Sequence, residues 1–337
     1  MKAVRLHDAL DLRVETVDAP SSPPPGHVNL RVQAAGICGS DLHNYRTGQW
    51  ISRRPSTAGH EFCGRVTAIG EGVSHLAIGD VVAADSRMWC GECAACRSGL
   101  SNVCEKLGFV GEVCDGGFAE EVQLPARLLV RHDAGLPPRV AAMAEPLAVA
   151  LHAVRRLSAP EGEPVLVVGC GTIGGLSALL LSQLRKGPLL LADLNAERVE
   201  MVAEVTGGVP VKLDAAAIGA VLDGKRLRYA IDATGSIHAI TKAIDLISGG
   251  GALALVGISH GKLDFDPNIL VEREISLVGC HAFIEELPEA VGMLPGLEIE
   301  LTRFSEVLDT LDAVPDAYER LLKGGGSRLK TIVEISD

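Results

Sequence analysis

Beyond Pro146 the chain alternates short apolar runs with longer stretches of helical spacing. EPVLVVGCG, PLLLAD, LRYAIDATG, GGALALVGI and EISLVGC read as strands that are apolar throughout, and AERVEMVAEV and IHAITKAIDLI read as the helices between them. Strands apolar on both faces need cover on both faces, which predicts a doubly wound parallel sheet. Before Pro146 the texture differs. HVNLRVQAAG and FCGRVTAIGEG alternate apolar with polar positions and are punctuated by glycine and proline, as in a β-rich domain. From about Ile284 the alternation fades into a helix-like DAYERLL, a glycine run at Gly324 to Gly326, and a strand-like LKTIVEI. The expected organisation is α/β. A β-rich domain spans residues 1–146, a parallel-sheet domain is inserted at 147–284, and residues 285–337 return to the first domain. The cleft between the domains is the expected place for a site.

Composition narrows the function. The 337 residues, 47% of them hydrophobic, suffice for two cores. A net charge of -12 argues against a nucleic-acid or anionic-membrane partner and leaves a small-molecule enzyme as the expectation. Val165 to Leu184 carries no charge, yet Gly169, Gly171, Gly174 and Gly175 interrupt it, so a buried strand turning into a buried helix explains it better than a membrane span. The start, MKAVRLHDALDLRVETV, lacks the features of a signal peptide, and a cytoplasmic location is expected.

Two motifs carry chemistry. Gly169-Cys170-Gly171-Thr172-Ile173-Gly174 follows the strand-like PVLVV and opens the helix-like GLSALLLSQL, the setting a dinucleotide-binding glycine turn requires. The helix N-terminus there offers free N–H groups to a pyrophosphate. Asp193 ends the next strand-like run about twenty residues on, where a carboxylate accepts from a ribose and repels a 2′-phosphate. NAD is therefore the expected cofactor, with Arg198 read as a solvated helix residue. The second motif is Cys90, Cys93, Cys96 and Cys104 in MWCGECAACRSGLSNVCEK, which suits a closed tetrahedral zinc stapling a lobe at residues 86–106. A closed site does no chemistry, so any reaction belongs elsewhere. Gly59-His60-Glu61 and the upstream Cys38 hold the donor types of an open zinc, although spacing alone does not join them.

GICGSDLH, GHEFCG, the four-cysteine lobe, GGFAEE, MAEPLAVALHA and GCGTIG stand in one order along nearly the whole chain, and that order resembles the zinc-dependent medium-chain dehydrogenases. The resemblance implies a GroES-like catalytic domain with an inserted Rossmann domain, NAD, and two zinc ions per subunit, one catalytic and one structural. It places Cys38 and His60 at ligand positions, with Glu61 or Glu145 as the third ligand. Glu145 stands where the simple-alcohol branch carries cysteine, which shifts the expectation to the polyol, sugar-acid and threonine branch. Ser40 and His43 match a proton relay from the substrate oxygen. The expected activity is hydride transfer from a secondary alcohol of a polyol or sugar acid, of the sorbitol or L-idonate type, to NAD. Threonine and sugar-phosphate dehydrogenases are the alternatives, as is a nucleotide-binding protein without turnover. Arg46, Arg53 and Arg54 are candidates for an anionic substrate group. The family also implies a homodimer or homotetramer, with GGALALVGI as the candidate edge.

Overall fold

The computed structural model describes residues 1–335, and the chain divides into two compact units. The first holds Met1–Glu145 and Leu287–Asp337; the second is Pro146–Glu286.

The first unit is built on a seven-stranded sheet. Along its main path the strands run Leu129–Arg131, Val81–Ala84, Glu61–Ile69, His27–Ile37, Lys330–Glu334 and Ser305–Leu308, and Glu121–Pro125 also pairs with His27–Ile37. His27–Ile37 is the long central strand, buried over most of its length, and its Val28, Leu30 and Val32 join a core with Phe62, Phe118, Leu124 and Leu128. Its partners on either side set the site. Gly36 lies opposite Glu61 on one neighbour and opposite Ile332 on the other, both antiparallel. The helix Gly39–Thr47 begins as soon as that strand ends, with Cys38 as its N-cap residue.

The second unit is a six-stranded parallel sheet in the order Val209–Pro210, Leu189–Ala192, Val165–Val168, Tyr229–Asp232, Ala252–Leu255 and Ser276–Gly279. That is the order of a dinucleotide-binding sheet, with its switch point at Val165–Val168. Leu166, Leu190, Ala230 and Leu253 are fully buried, as strands covered on both faces require. One expectation changes here. The GGALALVGI strand, Ala252–Leu255, is interior, because Ser276–Gly279 pairs along its outer side and is itself the edge. Among the described residues no helix is long and apolar enough to cross a membrane.

Candidate active site and metal centres

Strand pairing assembles the first centre. The end of His27–Ile37 delivers Cys38, and the start of Glu61–Ile69 delivers Glu61 with His60 just before it. One ligand atom from each of Cys38, His60 and Glu61 lies within 4.8 Å of the others. Asp41, in the first helical turn, serves two of the three. Its Oδ2 accepts from the Cys38 N–H at 2.8 Å, and its Oδ1 stands 3.4 Å from His60 Nδ1. A carboxylate on Nδ1 orients the ring and leaves Nε2 as the metal-facing nitrogen. Burial works against a charged His60, but the nearby Asp41 and Cys38 outweigh it and hold the imidazole well above its ordinary value. Thiolate, imidazole and carboxylate so placed fit zinc.

Glu145 stands apart from this trio. It is buried, and its Oε1 accepts from Ser86 Oγ at 2.6 Å. Burial and the charge of Glu61 push its carboxyl up to about 7. Glu61 instead forms an ion pair with Lys330, both side chains being almost wholly enclosed. Asp41, Ser86 and Lys330 escaped sequence reasoning. The available signals were an acidic residue three positions after a helix-capping cysteine and a lysine inside the apolar run LKTIVEI.

Ser40 Oγ lies 3.4 Å from His60 Nε2, so it adjoins the centre. His43 is held elsewhere on the same helix. It packs on Trp50 with ring centroids 4.2 Å apart, and its Nε2 is 3.0 Å from Gln49 Oε1 and 3.2 Å from Thr47 Oγ1. Two of the three arginines are committed to other partners. Arg53 pairs with Asp115, and Arg54 pairs with Asp8 at 2.9 Å and donates to the Gly48 carbonyl. Arg46 is exposed at the last turn of the helix.

The second centre is local. Ligand atoms of Cys90, Cys93, Cys96 and Cys104 also gather within 4.8 Å of one another. Backbone N–H groups point at the sulfurs, from Cys93 to Cys90 at 3.4 Å, from Cys96 to Cys93 at 3.5 Å and from Lys106 to Cys104 at 3.3 Å. The N–H groups of Cys96 and Glu105 draw the Cys93 thiol down to about 6, while desolvation pushes its neighbour Cys96 up to about 12, so the four sulfurs do not ionise together without a cation. None of the nine cysteines forms a disulfide. Burial pushes those outside the clusters upward, Cys63 and Cys170 to about 12.

In the second unit, Gly169 turns at φ 92° and the helix Thr172–Leu184 starts after Gly171. A Cβ on Gly174 would stand 1.6 Å from the Gly169 carbonyl oxygen, so helix and strand approach as closely as a pyrophosphate cradle needs. Ile173 follows Thr172 in the first turn of that helix. Asp193 closes the cradle. Its Oδ2 accepts from the Cys170 N–H at 2.6 Å and its Oδ1 from the Asn195 N–H at 2.8 Å. Arg198 is half-buried rather than solvated, and its Nε is enclosed without a hydrogen-bond partner.

Comparison with known proteins agrees with this chemistry. The alcohol dehydrogenase GroES-like domain matches residues 24–134, and the zinc-binding dehydrogenase domain matches residues 175–295. L-galactonate-5-dehydrogenase of Escherichia coli K12 is 35% identical over 81% of each chain. The chain belongs to the zinc-dependent medium-chain dehydrogenases. It is also 27% identical to the sorbitol dehydrogenase of Bacillus subtilis over 99% of this chain and 97% of the relative, and 31% identical to the L-threonine 3-dehydrogenase of Caldanaerobacter subterraneus over 76% of each. An alcohol dehydrogenase of Escherichia coli CFT073 solved with NADH superposes with a TM-score of 0.91 over 99% of both chains, at 27% identity. This dehydrogenase therefore acts on alcohols with zinc and a nicotinamide cofactor, and its fold is a GroES-like domain joined to a Rossmann domain.

Proposed function

We propose that the enzyme oxidises a secondary alcohol of a polyol or sugar acid to the ketone and passes the hydride to NAD. The observation that carries this reading is the convergence of Cys38 with the buried His60 and Glu61, whose charges reach the buried Glu145 hung from Ser86. Zinc held by Cys38, His60 and Glu61 supplies a Lewis acid that lowers the pKa of a hydroxyl, while NAD accepts the hydride. The rest falls to side chains of this chain. Asp41 fixes the His60 ring and the Cys38 backbone. Ser40, next to His60 Nε2, takes the hydroxyl proton and would pass its own by way of the cofactor ribose to His43, which, in contact with the exposed Thr47 and Gln49, releases a proton toward water. Glu145, whose carboxyl burial and the Glu61 charge push up, would in its ionised form be the alternative third ligand to Glu61. Gly169, Gly171, Thr172, Ile173 and Gly174 cradle the pyrophosphate, Asp193 takes the ribose, and Cys90, Cys93, Cys96 and Cys104 hold the structural zinc.

The pairing of Arg53 with Asp115 and of Arg54 with Asp8 gives both another partner and makes Arg46 the first candidate for an anionic substrate group. NAD reduction by the zinc-loaded enzyme is to be measured on sorbitol, xylitol, idonate, gluconate, threonine, a sugar phosphate and simple alcohols. Turnover of a polyol or sugar acid supports the reading. Turnover of threonine alone, or of the phosphate alone, replaces it with that substrate class. A preference for acids that Arg46→Ala abolishes would assign Arg46 to the carboxylate. The same reading includes a cytoplasmic homodimer or homotetramer that pairs along Ser276–Gly279, the exposed edge. Light scattering checks the assembly.

A further inference from the structure

The Glu61–Lys330 pair is the least expected contact in the first unit. Side-chain exposure is 2% for Glu61 and 1% for Lys330, so neither charge has water to lean on. Glu61 Oε2 is otherwise without a hydrogen-bond donor. The sheet explains how they meet. Glu61, Gly36 and Ile332 lie abreast on three adjacent strands, and Lys330 is two residues before Ile332, hence on the same face. Between them the central strand carries no side chain. A Cβ on Gly36 would stand 2.6 Å from Glu61 Oε2 and 2.7 Å from Lys330 Cε. The missing methyl is the slot through which the lysine reaches the carboxylate.

The same carboxylate group supplies an oxygen within 4.8 Å of the Cys38 sulfur and a His60 nitrogen. Glu61 thus has two cationic partners available, a metal at that centre and the Lys330 ammonium, and a buried carboxylate that leaves one needs the other. We propose that Lys330 is a positioning residue that competes with the metal for Glu61, so that the carboxylate can leave the zinc without being stranded, and that Gly36 keeps the path open. The proposal rests on the reading of Cys38, His60 and Glu61 as the catalytic zinc site. It makes Lys330 a determinant of how readily a coordination place is vacated for substrate.

The test is zinc release from the loaded enzyme into a colorimetric chelator, followed in time, with the four-cysteine zinc as the internal slow phase. Lys330→Met is expected to slow the faster phase by about tenfold or more, because Glu61 then has no partner but the metal. Gly36→Ala, which crowds the pair apart, is expected to shift it the same way and serves if Lys330→Met does not fold. In the Glu61→Gln background, Lys330→Met is expected to change nothing further, since its effect passes through that carboxylate. An unchanged release rate in both single variants, or a Lys330→Met effect that persists in Glu61→Gln, overturns the proposal. Cys38→Ser separates the two levels. If it loses one zinc per chain while the lysine variants are silent, the competition alone is wrong; if it keeps both ions, the zinc-site reading fails and the competition with it.

Discussion

The two metal centres solve one problem in opposite ways. The four-cysteine centre is drawn from one short segment, lies partly open to solvent, and satisfies its sulfurs with its own backbone N–H groups. The Cys38, His60 and Glu61 centre is assembled by pairing across the sheet, has His60 and Glu61 buried, and is surrounded by side chains brought from other elements, Asp41, Glu145 and Lys330. The first needs its metal to shape a lobe with little core of its own. The second is shaped by the sheet before any metal arrives, and so its groups are free to serve chemistry.

That contrast is sharpest for cysteine replacement. Cys38→Ser is expected to lower kcat/KM by at least about 10³-fold while moving Tm by less than about 4 °C. Steady-state kinetics and calorimetry check both, and a large fall in Tm would erase the distinction. Cys93→Ser is expected to do the reverse, lowering Tm by about 10 °C, with activity lost only as the lobe unfolds. Asp41→Asn keeps its shape but loses the charge on His60 Nδ1, and is expected to weaken zinc at the buried centre by about 10–100-fold without touching the four-cysteine ion. Metal titration followed by elemental analysis would show it. The smallest effect concerns acidity. In the native protein Cys63, whose thiol burial pushes up to about 12, should stay unreactive at pH values where an ordinary thiol alkylates, and denaturant should restore its reactivity. Mass spectrometry of iodoacetamide-treated protein reads both.

The same division governs how far the sequence could be read. Cys90, Cys93, Cys96 and Cys104 are legible from spacing because a zinc loop closes within one turn of chain. Cys38 and His60 share no local period, and they meet because Gly36 and Glu61 pair on adjacent strands. Only several motifs in a familiar order could join them beforehand. The parallel sheet was legible because LVV, LLLA, YAID and ALAL are apolar on both faces. Its edge was not, since Ser276–Gly279 reads much like its interior neighbour, and composition does not say which of two apolar strands comes last. Arg53 and Arg54 looked available for a substrate because Asp115 and Asp8 are far away in sequence. Lys330 offered only a charge inside an apolar strand, with its partner nearly the whole chain upstream.

Asp193 accepts the Cys170 N–H as well as that of Asn195. On the proposed preference for NAD, an engineer seeking NADP instead would begin by deleting this carboxylate, since a carboxylate at that place repels a 2′-phosphate. Here that deletion also unpins an amide of the glycine turn, so the first step toward a new cofactor loosens the grip on both. A workable conversion would keep a hydrogen-bond acceptor at position 193, as asparagine does, and seek its cation from Arg198 on the helix that follows.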